Sequence, residues 1–427
     1  MGVFHNFFEF GWEGNHKQWN GSPLEHLAEY SLSVIEFDDQ GWYHDLAQRD
    51  ALMRFLDEMV GQDLLILVFL HGWKHNAAAD DGNLRSFRAL LRDARASEDQ
   101  RGTGRRVLGV YLSWRGRSLS GNWLWMNASF WTRKSAALRV AVGSVREILA
   151  RLRAVQRERN RQTIDHPEGR RGQGTRLVLA GHSFGGLILF SAVAENLIES
   201  VARTHERVVR PFGDLVILVN PAFEATRYQP LLTALLARPG YPPDQRPCFL
   251  AVTATNDDAT GRAFPIGRWL ATRFEAVRRR ALPGLPDDAQ RQANLKTVGH
   301  LPWLRTHRLS ASAKPKETAT TAEQAYTGSG PPDRDAEKRS LEEFTRKYRP
   351  NGHLTPGWQR CYTRGALLEH LAGNPDNPFW IVEVTPEVID GHNGIFRPVF
   401  LDFLRQLCDD RLRHIETAPG GGPSVSS

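Results

Sequence analysis

A short stretch near the middle of the chain has the residue types and spacing of an activated nucleophile. The apolar run 177–180 predicts a buried strand, the Gly-His-Ser-Phe-Gly-Gly stretch that follows predicts a tight turn, and the apolar segment from Leu187 predicts a helix. Gly181 and Gly185 let strand and helix approach closely, so Ser183 is expected at a strained apex with its hydroxyl exposed. The helix directs its first N–H groups at the same point, which favours an oxyanion. We therefore interpret Ser183 as a nucleophile rather than as part of a structural turn.

A serine hydroxyl needs a base within hydrogen-bond reach and an acid that orients the base. In parallel α/β sheets with this type of elbow, the acid and then the histidine follow the serine, each on a loop at the C-terminal end of a strand. Asp257 follows the predicted strand 247–255 and is the first candidate for the acid, with Asp258 second and Glu224 third. Among fifteen histidines, His392 is the candidate base, because it lies in a glycine-flanked loop after the last predicted strand. The alternative for each is an ordinary polar residue in a turn.

The most apolar predicted strand ends in a second stretch suited to chemistry, formed by His71, Gly72 and Trp73. A glycine just after a central strand lets a backbone N–H point into the crevice in which open α/β sheets bind ligands. We expect N–H groups at Gly72 or Trp73 and at Phe184 to form an oxyanion hole, the alternative again being a turn. The spacing of His71 and His75 suits a metal only on a helix, and a loop is predicted here, so no metal site is expected.

These candidate residues need a scaffold that brings distant loops together. Strand and helix patterns alternate from residue 31 to about 260, and a strand and a helix return near the end of the chain. This alternation predicts an α/β fold with a mostly parallel central sheet and helices on both faces, plus an irregular insertion before the last strand. The predicted strands are 31–37, 64–70, 106–112, 177–180, 214–219, 247–255 and 379–384.

The predicted organisation has five parts. They are an N-terminal segment (1–30), the α/β core (31–272), an irregular and partly mobile insertion or cap (273–378), the last strand with the histidine loop and terminal helix (379–412), and a flexible tail (413–427). Within the insertion, 311–338 is rich in Lys, Thr, Ala, Gly, Pro and Asp, and we expect it to be mobile.

The composition is that of a soluble globular protein, with 41% hydrophobic and 24% charged residues among 427. No apolar run is long enough for a transmembrane helix and the N-terminus lacks a signal-peptide pattern, so we expect a cytoplasmic protein. Three widely spaced cysteines fit a reducing compartment. The formal charge of +7 permits contact with anionic surfaces, which leaves peripheral membrane contact open. The arginine-rich segment 151–176 has no aromatic residues for base stacking, so no specific nucleic-acid partner is expected.

Together, these motifs resemble the α/β-hydrolase superfamily, most closely its lipase and esterase branch. The specific parts are the Gly-His-Ser-x-Gly-Gly elbow at 181–186 and the His-Gly pair at 71–72, and the resemblance covers 31–260 and 379–412. The long insertion before the last strand and a poorly delimited cap depart from compact members of the superfamily, and they leave the substrate open.

The resemblance implies a catalytic triad of Ser183, Asp257 and His392 that hydrolyses esters or related acyl compounds without a cofactor or metal. The aromatic segment 121–131 has two interpretations, a lid or acyl-pocket wall that favours lipid-like esters, or packing for the helix that follows. The alternative function is that of a catalytically silent binding or scaffold protein with the same fold.

Overall fold

The computed structural model describes residues 19, 21–72, 75–114, 123–165, 174–205, 208–243, 245–271, 286–311 and 333–417. Within these ranges it shows one large mixed α/β arrangement, in which a mostly parallel sheet is covered by helices on both faces. The fold class is therefore the predicted one at the level of α/β architecture.

The described strands form a single sheet in the order β1-β2-β4-β3-β5-β6-β7-β11-β8-β10-β9. All neighbouring pairs from β2 to β8 in this order are parallel, whereas β1 pairs antiparallel with β2, and β10 pairs antiparallel with β8 and with β9. Because parallel strands present their C-terminal ends at one edge, the loops after β3, β5, β6, β7 and β11 all leave that edge. The strands are β1 (Leu24–His26), β2 (Tyr30–Phe37), β3 (Leu64–Leu70), β4 (Arg106–Trp114), β5 (Arg176–His182), β6 (Leu215–Val219), β7 (Phe249–Ala254), β8 (His307–Ala311), β9 (Gln359–Cys361), β10 (Ala366–His370) and β11 (Phe379–Val384).

Helices connect the parallel strands and cover both faces of the sheet. Side chains of α1, α3, α4, α5 and α6 pack on one face, and those of α2, α9 and α10 pack on the other. The continuous apolar run of β3 follows from this arrangement, because a strand covered on both faces needs apolar residues at successive positions. The helices are α1 (Leu46–Glu58), α2 (Gly82–Arg101), α3 (Trp123–Val142), α4 (Ser144–Asp165), α5 (Phe184–Ala202), α6 (Gln229–Ala237), α7 (Phe264–Ala271), α8 (Ala289–Leu295), α9 (Arg334–Tyr348) and α10 (Pro398–Thr417).

Helix α5 is the most apolar of these elements and the centre of one face of the core. Among the described helices it alone has the length and hydropathy of a membrane span. Its first seven residues, from Phe184 to Phe190, are all buried inside the protein. This is the environment of a central core helix, which has the same composition as a membrane span.

The region 273–378 differs from the expected irregular insertion. It contributes α8, α9 and three strands, and β8 pairs in parallel with β11 while β10 and β9 continue the sheet beyond it. These strands have only three to five residues and carry His, Arg, Gln and Cys, so no alternating pattern marks them in the sequence. Pairing with β11 adds β8 to the sheet, and β10 and then β9 pair onto β8 in turn, so these strands depend on their partners and not on a local pattern.

Two further boundaries differ from the prediction. Part of the stretch expected to be mobile, from Arg334 onward, forms α9, and Asp333 caps this helix by accepting a hydrogen bond from the Ala336 N–H at 2.9 Å. Residues 413–417, expected to belong to the tail, are helical, because α10 continues to Thr417. Residues 1–18, 312–332 and 418–427 lie outside the described residues.

Candidate active site

Ser183 occupies a strained turn between β5 and α5. Its φ of 57° and ψ of −120° lie in a region that a non-glycine residue adopts only when the surroundings impose it. A Cβ at Gly181 would lie 2.7 Å from the Gly185 carbonyl oxygen, and a Cβ at Gly185 would lie 2.1 Å from the Leu70 carbonyl oxygen. Both positions therefore require glycine, and the close contact they permit produces the elbow predicted from the sequence pattern.

The structure brings the predicted nucleophile, base and acid into one hydrogen-bonded chain. The Ser183 hydroxyl lies 2.8 Å from His392 Nε2, and His392 Nδ1 lies 2.8 Å from Asp257 Oδ2. A carboxylate can only accept, so the Nδ1 proton donates to Asp257 and Nε2 accepts from the serine hydroxyl. The His392 side chain keeps 20% exposure, whereas the Asp257 side chain has none. This geometry suits proton transfer from Ser183 to His392, with Asp257 holding the tautomer.

Asp257 is held as a carboxylate by donors on its own turn. The Thr260 hydroxyl donates to Oδ2 at 2.5 Å, and the N–H groups of Ala259 and Thr260 donate to Oδ1 at 3.0 and 3.1 Å. Burial alone would raise the pKa of Asp257, but the hydrogen bond and charge of His392 and the Thr260 donors outweigh it and hold the pKa below its ordinary value. The acid therefore stays ionised at neutral pH.

The other two candidate acids lie elsewhere. Asp258 is exposed and pairs with Arg262 at 3.3 Å. Glu224 is buried and pairs with Lys134 and, at 3.0 Å, with Arg268. Burial lowers the pKa of Lys134 to about 8, with the Glu224 charge acting against it. Neither carboxylate contacts the candidate base, which leaves Asp257 as the acid that the geometry favours.

The structure describes two of the three residues predicted for the oxyanion hole, Gly72 and Phe184. A Cβ at Gly72 would lie 2.7 Å from the Ser183 Cβ, so the backbone after β3 passes directly beside Ser183. Phe184 is the first residue of α5 and is fully buried. Trp73 lies outside the described residues. Gly72 and Phe184 thus flank Ser183, and their role towards an oxyanion stays a prediction.

Both ring nitrogens of His71 are engaged by hydrogen bonds around the end of β3. The Trp114 N–H lies 3.2 Å from His71 Nε2 and the Ser113 hydroxyl lies 3.0 Å from it, while His71 Nδ1 lies 2.8 Å from the Gly72 carbonyl oxygen. Burial lowers the pKa of His71 to about 4, so the ring is neutral and Nδ1–H donates to Gly72. His75 instead pairs with the Asp81 carboxylate at 3.1 Å, and no group of three metal-ligating side chains occurs in the described residues.

Two further residues hold the histidine loop by its backbone, and the sequence patterns did not indicate either. The His392 carbonyl oxygen accepts from Asn220 Nδ2 at 2.8 Å and lies 2.9 Å from His182 Nε2. Asn220 has a φ of 46° at the end of β6, and its Oδ1 accepts from the Ala254 N–H at 2.9 Å. Burial, together with the His392 charge, keeps the pKa of His182 well below its ordinary value, so its neutral ring donates through Nε2.

Comparisons with known proteins add little to this geometry. No family model and no curated protein matches the chain. Among solved structures, the chain is similar to the siderophore hydrolase EstA from Aspergillus nidulans, at 12% identity over 82% of this chain and 84% of that chain, with a TM-score of 0.28. It is also similar to an uncharacterized protein from Pseudomonas aeruginosa, at 11% identity over 53% of this chain and 42% of that chain, with a TM-score of 0.24. Likenesses at such TM-scores carry no inference about activity.

Proposed function

We propose that this protein is a serine hydrolase of the α/β-hydrolase fold that cleaves carboxylic esters. The observation that carries the proposal is the hydrogen-bonded chain from the Ser183 hydroxyl through His392 to Asp257, with 2.8 Å at each step. The three residues follow β5, β7 and β11 in the chain order serine, acid, histidine, which is the order of α/β-hydrolases. The strained φ of Ser183 is a further property of a nucleophile elbow.

The proposed reaction proceeds through an acyl-enzyme. His392 Nε2 takes the proton of Ser183 as the hydroxyl oxygen attacks the ester carbonyl, and the resulting imidazolium is stabilised by the Asp257 carboxylate. N–H groups at Phe184 and at Gly72 or Trp73 would stabilise the oxyanion. The imidazolium then protonates the leaving alcohol, and water, activated by His392 in the same way, releases the acid and restores Ser183.

Labelling with a fluorophosphonate tests the nucleophile directly. Wild type is compared with Ser183→Ala and with Ser200→Ala, a control on the helix that follows Ser183, where the Ser200 hydroxyl donates to the Leu197 carbonyl oxygen. We expect labelling at Ser183 that is lost in Ser183→Ala, weakened in His392→Ala and unchanged in Ser200→Ala. Absence of labelling in folded wild type would contradict the proposal and support the alternative, a catalytically silent binding or scaffold protein.

A series of p-nitrophenyl esters of increasing acyl length then addresses the substrate. The sequence-based expectation of a lipid-like ester rests on the aromatic segment 121–131, whose side chains lie outside the described residues. Turnover that rises with acyl length, and that falls when Trp125 and Trp131 are replaced by alanine, is the result expected for a lipid-like substrate. Equal turnover across the series would restrict the proposal to esters in general.

A further inference from the structure

A small cavity lies at the edge of the sheet away from Ser183. Its lining includes Pro247, just before β7, and Asn377, just before β11. Because β5, β6, β7 and β11 run parallel, the N-terminal ends of β7 and β11 lie opposite the edge that carries Ser183. Other parts of the lining come from β9, α9 and α10. The cavity is separate from the candidate active site, and none of Ser183, His392 and Asp257 lines it.

The charged side chains that line this cavity are mostly cationic. Among the described lining residues, several arginines stand against a single carboxylate, that of Asp410. This carboxylate pairs with Arg360, whose Nη1 lies 2.5 Å from Asp410 Oδ2. The described part of the lining therefore carries more positive than negative charge. Its charged members are Arg246, Arg349, Arg360, Asp410 and Arg411.

Arg411 of α10 is a buried cation that forms no ion pair with a carboxylate of the described residues. It is 6% exposed, and its Nε donates to the backbone carbonyl oxygen of Asp214 at 3.2 Å. Burial lowers the pKa of Arg411, and the charges of Arg176 and Arg246 act in the same direction, against those of Cys248 and Asp214. A guanidinium nevertheless stays protonated in proteins. Its burial is costly unless a negative charge lies beside it.

Two buried donors in the same lining have no acceptor among the described residues. One is the indole Nε1 of Trp358, a side chain that is 1% exposed and can only donate. The other is Nε of Arg360. Buried donors in folded proteins nearly always have a partner. The lining thus supplies positive charge and hydrogen-bond donors, and both call for a ligand that is anionic and accepts hydrogen bonds.

The size of the cavity restricts this ligand to a small one. Its volume is about 30 Å³, whereas one buried water needs about 10–15 Å³. Water molecules would accept from the two donors, but they carry no charge and would leave the Arg411 cation uncompensated. A tetrahedral oxyanion offers several acceptor oxygens together with negative charge, and guanidinium groups match its geometry.

We propose that this cavity binds one inorganic oxyanion of the phosphate and sulfate class. Arg411 supplies the positive charge beside the ion, Trp358 Nε1 and Arg360 Nε donate to its oxygens, and the remaining arginines of the lining raise the local positive potential. Trp358 and Arg360 lie at β9, whereas Arg411 lies on α10. The ion therefore joins the added edge of the sheet to the terminal helix and stabilises the folded chain.

The test is isothermal titration of the phosphate-free full chain with inorganic phosphate, with sodium chloride keeping the ionic strength constant. We expect saturable binding of one phosphate per chain. We also expect phosphate to raise the Tm of the protein above its Tm in sodium chloride of the same ionic strength, because a ligand of the folded state stabilises that state. Sodium sulfate should compete with phosphate, and glycerol 3-phosphate should bind at least tenfold more weakly, since the cavity has room only for the ion.

Two variants on different elements locate the binding site. Arg411→Gln removes the positive charge and should weaken phosphate binding about tenfold or more. Trp358→Phe keeps an aromatic ring but removes the N–H donor, and it should weaken binding about fivefold. Arg339→Gln, at an exposed position of α9, removes the same charge as Arg411→Gln and is the matched control. It should bind phosphate as wild type does.

Each outcome bears on the proposal, and circular dichroism shows which variants are folded. The measurement on wild type needs no variant: absence of saturable phosphate binding would overturn the site. Wild-type affinity in the folded variants of Arg411 and Trp358 would place the ion elsewhere and overturn the assignment. An equal rise of Tm in phosphate and in sodium chloride would overturn the preference for an oxyanion. Glycerol 3-phosphate bound as tightly as phosphate would overturn the restriction to a free ion.

Discussion

The contact between Asn220 and the histidine loop allows a sharp test of how the base is positioned. In Asn220→Asp, the nitrogen that donates to the carbonyl oxygens of His392 at 2.8 Å and Gly391 at 3.2 Å becomes a carboxylate oxygen. The other oxygen still accepts from the Ala254 N–H at 2.9 Å, so the side chain cannot avoid the two carbonyls by flipping. The substitution thus replaces attraction by repulsion without changing the shape of the side chain.

The expected magnitude follows from burial and from the site geometry. Asn220 has 0% exposure, and each buried polar group left without its partner costs about 1–3 kcal/mol. We therefore expect the free energy of unfolding to fall by roughly 2–4 kcal/mol. A displacement of the imidazole by about 1 Å is enough to lower the rate about 100-fold. The loss should appear in kcat, with KM nearly unchanged, because Asn220 is placed to orient the base and not to bind substrate.

The pH dependence of the activity of Asn220→Asp distinguishes misplacement of His392 from general structural damage. Burial of the new carboxyl raises its pKa, and its protonated form can again donate to the His392 carbonyl oxygen. The loss of activity of Asn220→Asp relative to wild type should therefore become smaller as the pH is lowered, and larger as the new carboxyl ionises. The assay is hydrolysis of a p-nitrophenyl ester, or the rate of fluorophosphonate labelling, across pH on protein shown to be folded by circular dichroism.

Asn393→Asp is the matched control, because Asn393 is exposed on the same loop and the substitution adds the same charge. It should keep wild-type activity. A folded Asn220→Asp protein with activity within about threefold of wild type at all pH values would refute the reasoning, since the His392 loop would then not depend on this donor. A deficit that does not vary with pH would point to structural damage instead.

Three further predictions concern the acid and the elbow. Asp257→Asn should lower kcat/KM by about 10³–10⁴-fold in the ester assay. The N–H groups of Ala259 and Thr260 would hold the amide oxygen, so the amide nitrogen would face His392. Asp258→Asn should have no effect in the same assay. Because folding lowers the pKa of Asp257, its ionised carboxylate stabilises the fold at pH values above the ordinary aspartate pKa of about 4. This contribution is lost as the pH falls through the lowered pKa. Urea unfolding of Asp257→Asn should accordingly show a weaker loss of stability on acidification than wild type. Gly185→Ala should lower the free energy of unfolding by about 3 kcal/mol or more, because its Cβ would lie 2.1 Å from a carbonyl oxygen at the end of β3. The control is Gly82→Ala, whose Cβ would have open space around it. It should unfold at the same urea concentration as wild type.

The parts of the site that could be predicted from the sequence are those set by local geometry. The strained turn at Ser183 needs glycines at positions 181 and 185, and those offsets are visible in the sequence. The loops that carry Asp257 and His392 could be found because each follows an apolar run that is buried on both faces of the sheet. A continuous apolar run indicates a strand that is buried on both faces, as in a parallel sheet. The C-terminal ends of parallel strands lie at a common edge, so the loops after them lie close together.

The rest depends on contacts between distant segments. Strands β8, β9 and β10 are short, and they depend on pairing: β8 pairs with the edge of β11, β10 pairs with β8, and β9 pairs with β10. Asn220 and His182 contact the His392 carbonyl across 172 and 210 residues of chain. No local pattern records such a contact, since the residue types are ordinary for a strand end and for an elbow.

These distant contacts also explain how two loops with little regular structure hold His392 between Ser183 and Asp257. Asn256, next to Asp257, donates to Asp390 Oδ1 at 2.8 Å and accepts from the Gly391 N–H at 2.9 Å. The Asn256 side chain thus ties the loops that carry Asp257 and His392 to each other, and Asn220 ties the second of them to β6 and β7. The alignment of His392 between Asp257 and Ser183 therefore does not rest on the two triad hydrogen bonds alone. Breaking one of those bonds in Ser183→Ala should leave the imidazole in place, because the carbonyl and N–H groups on either side of it remain held.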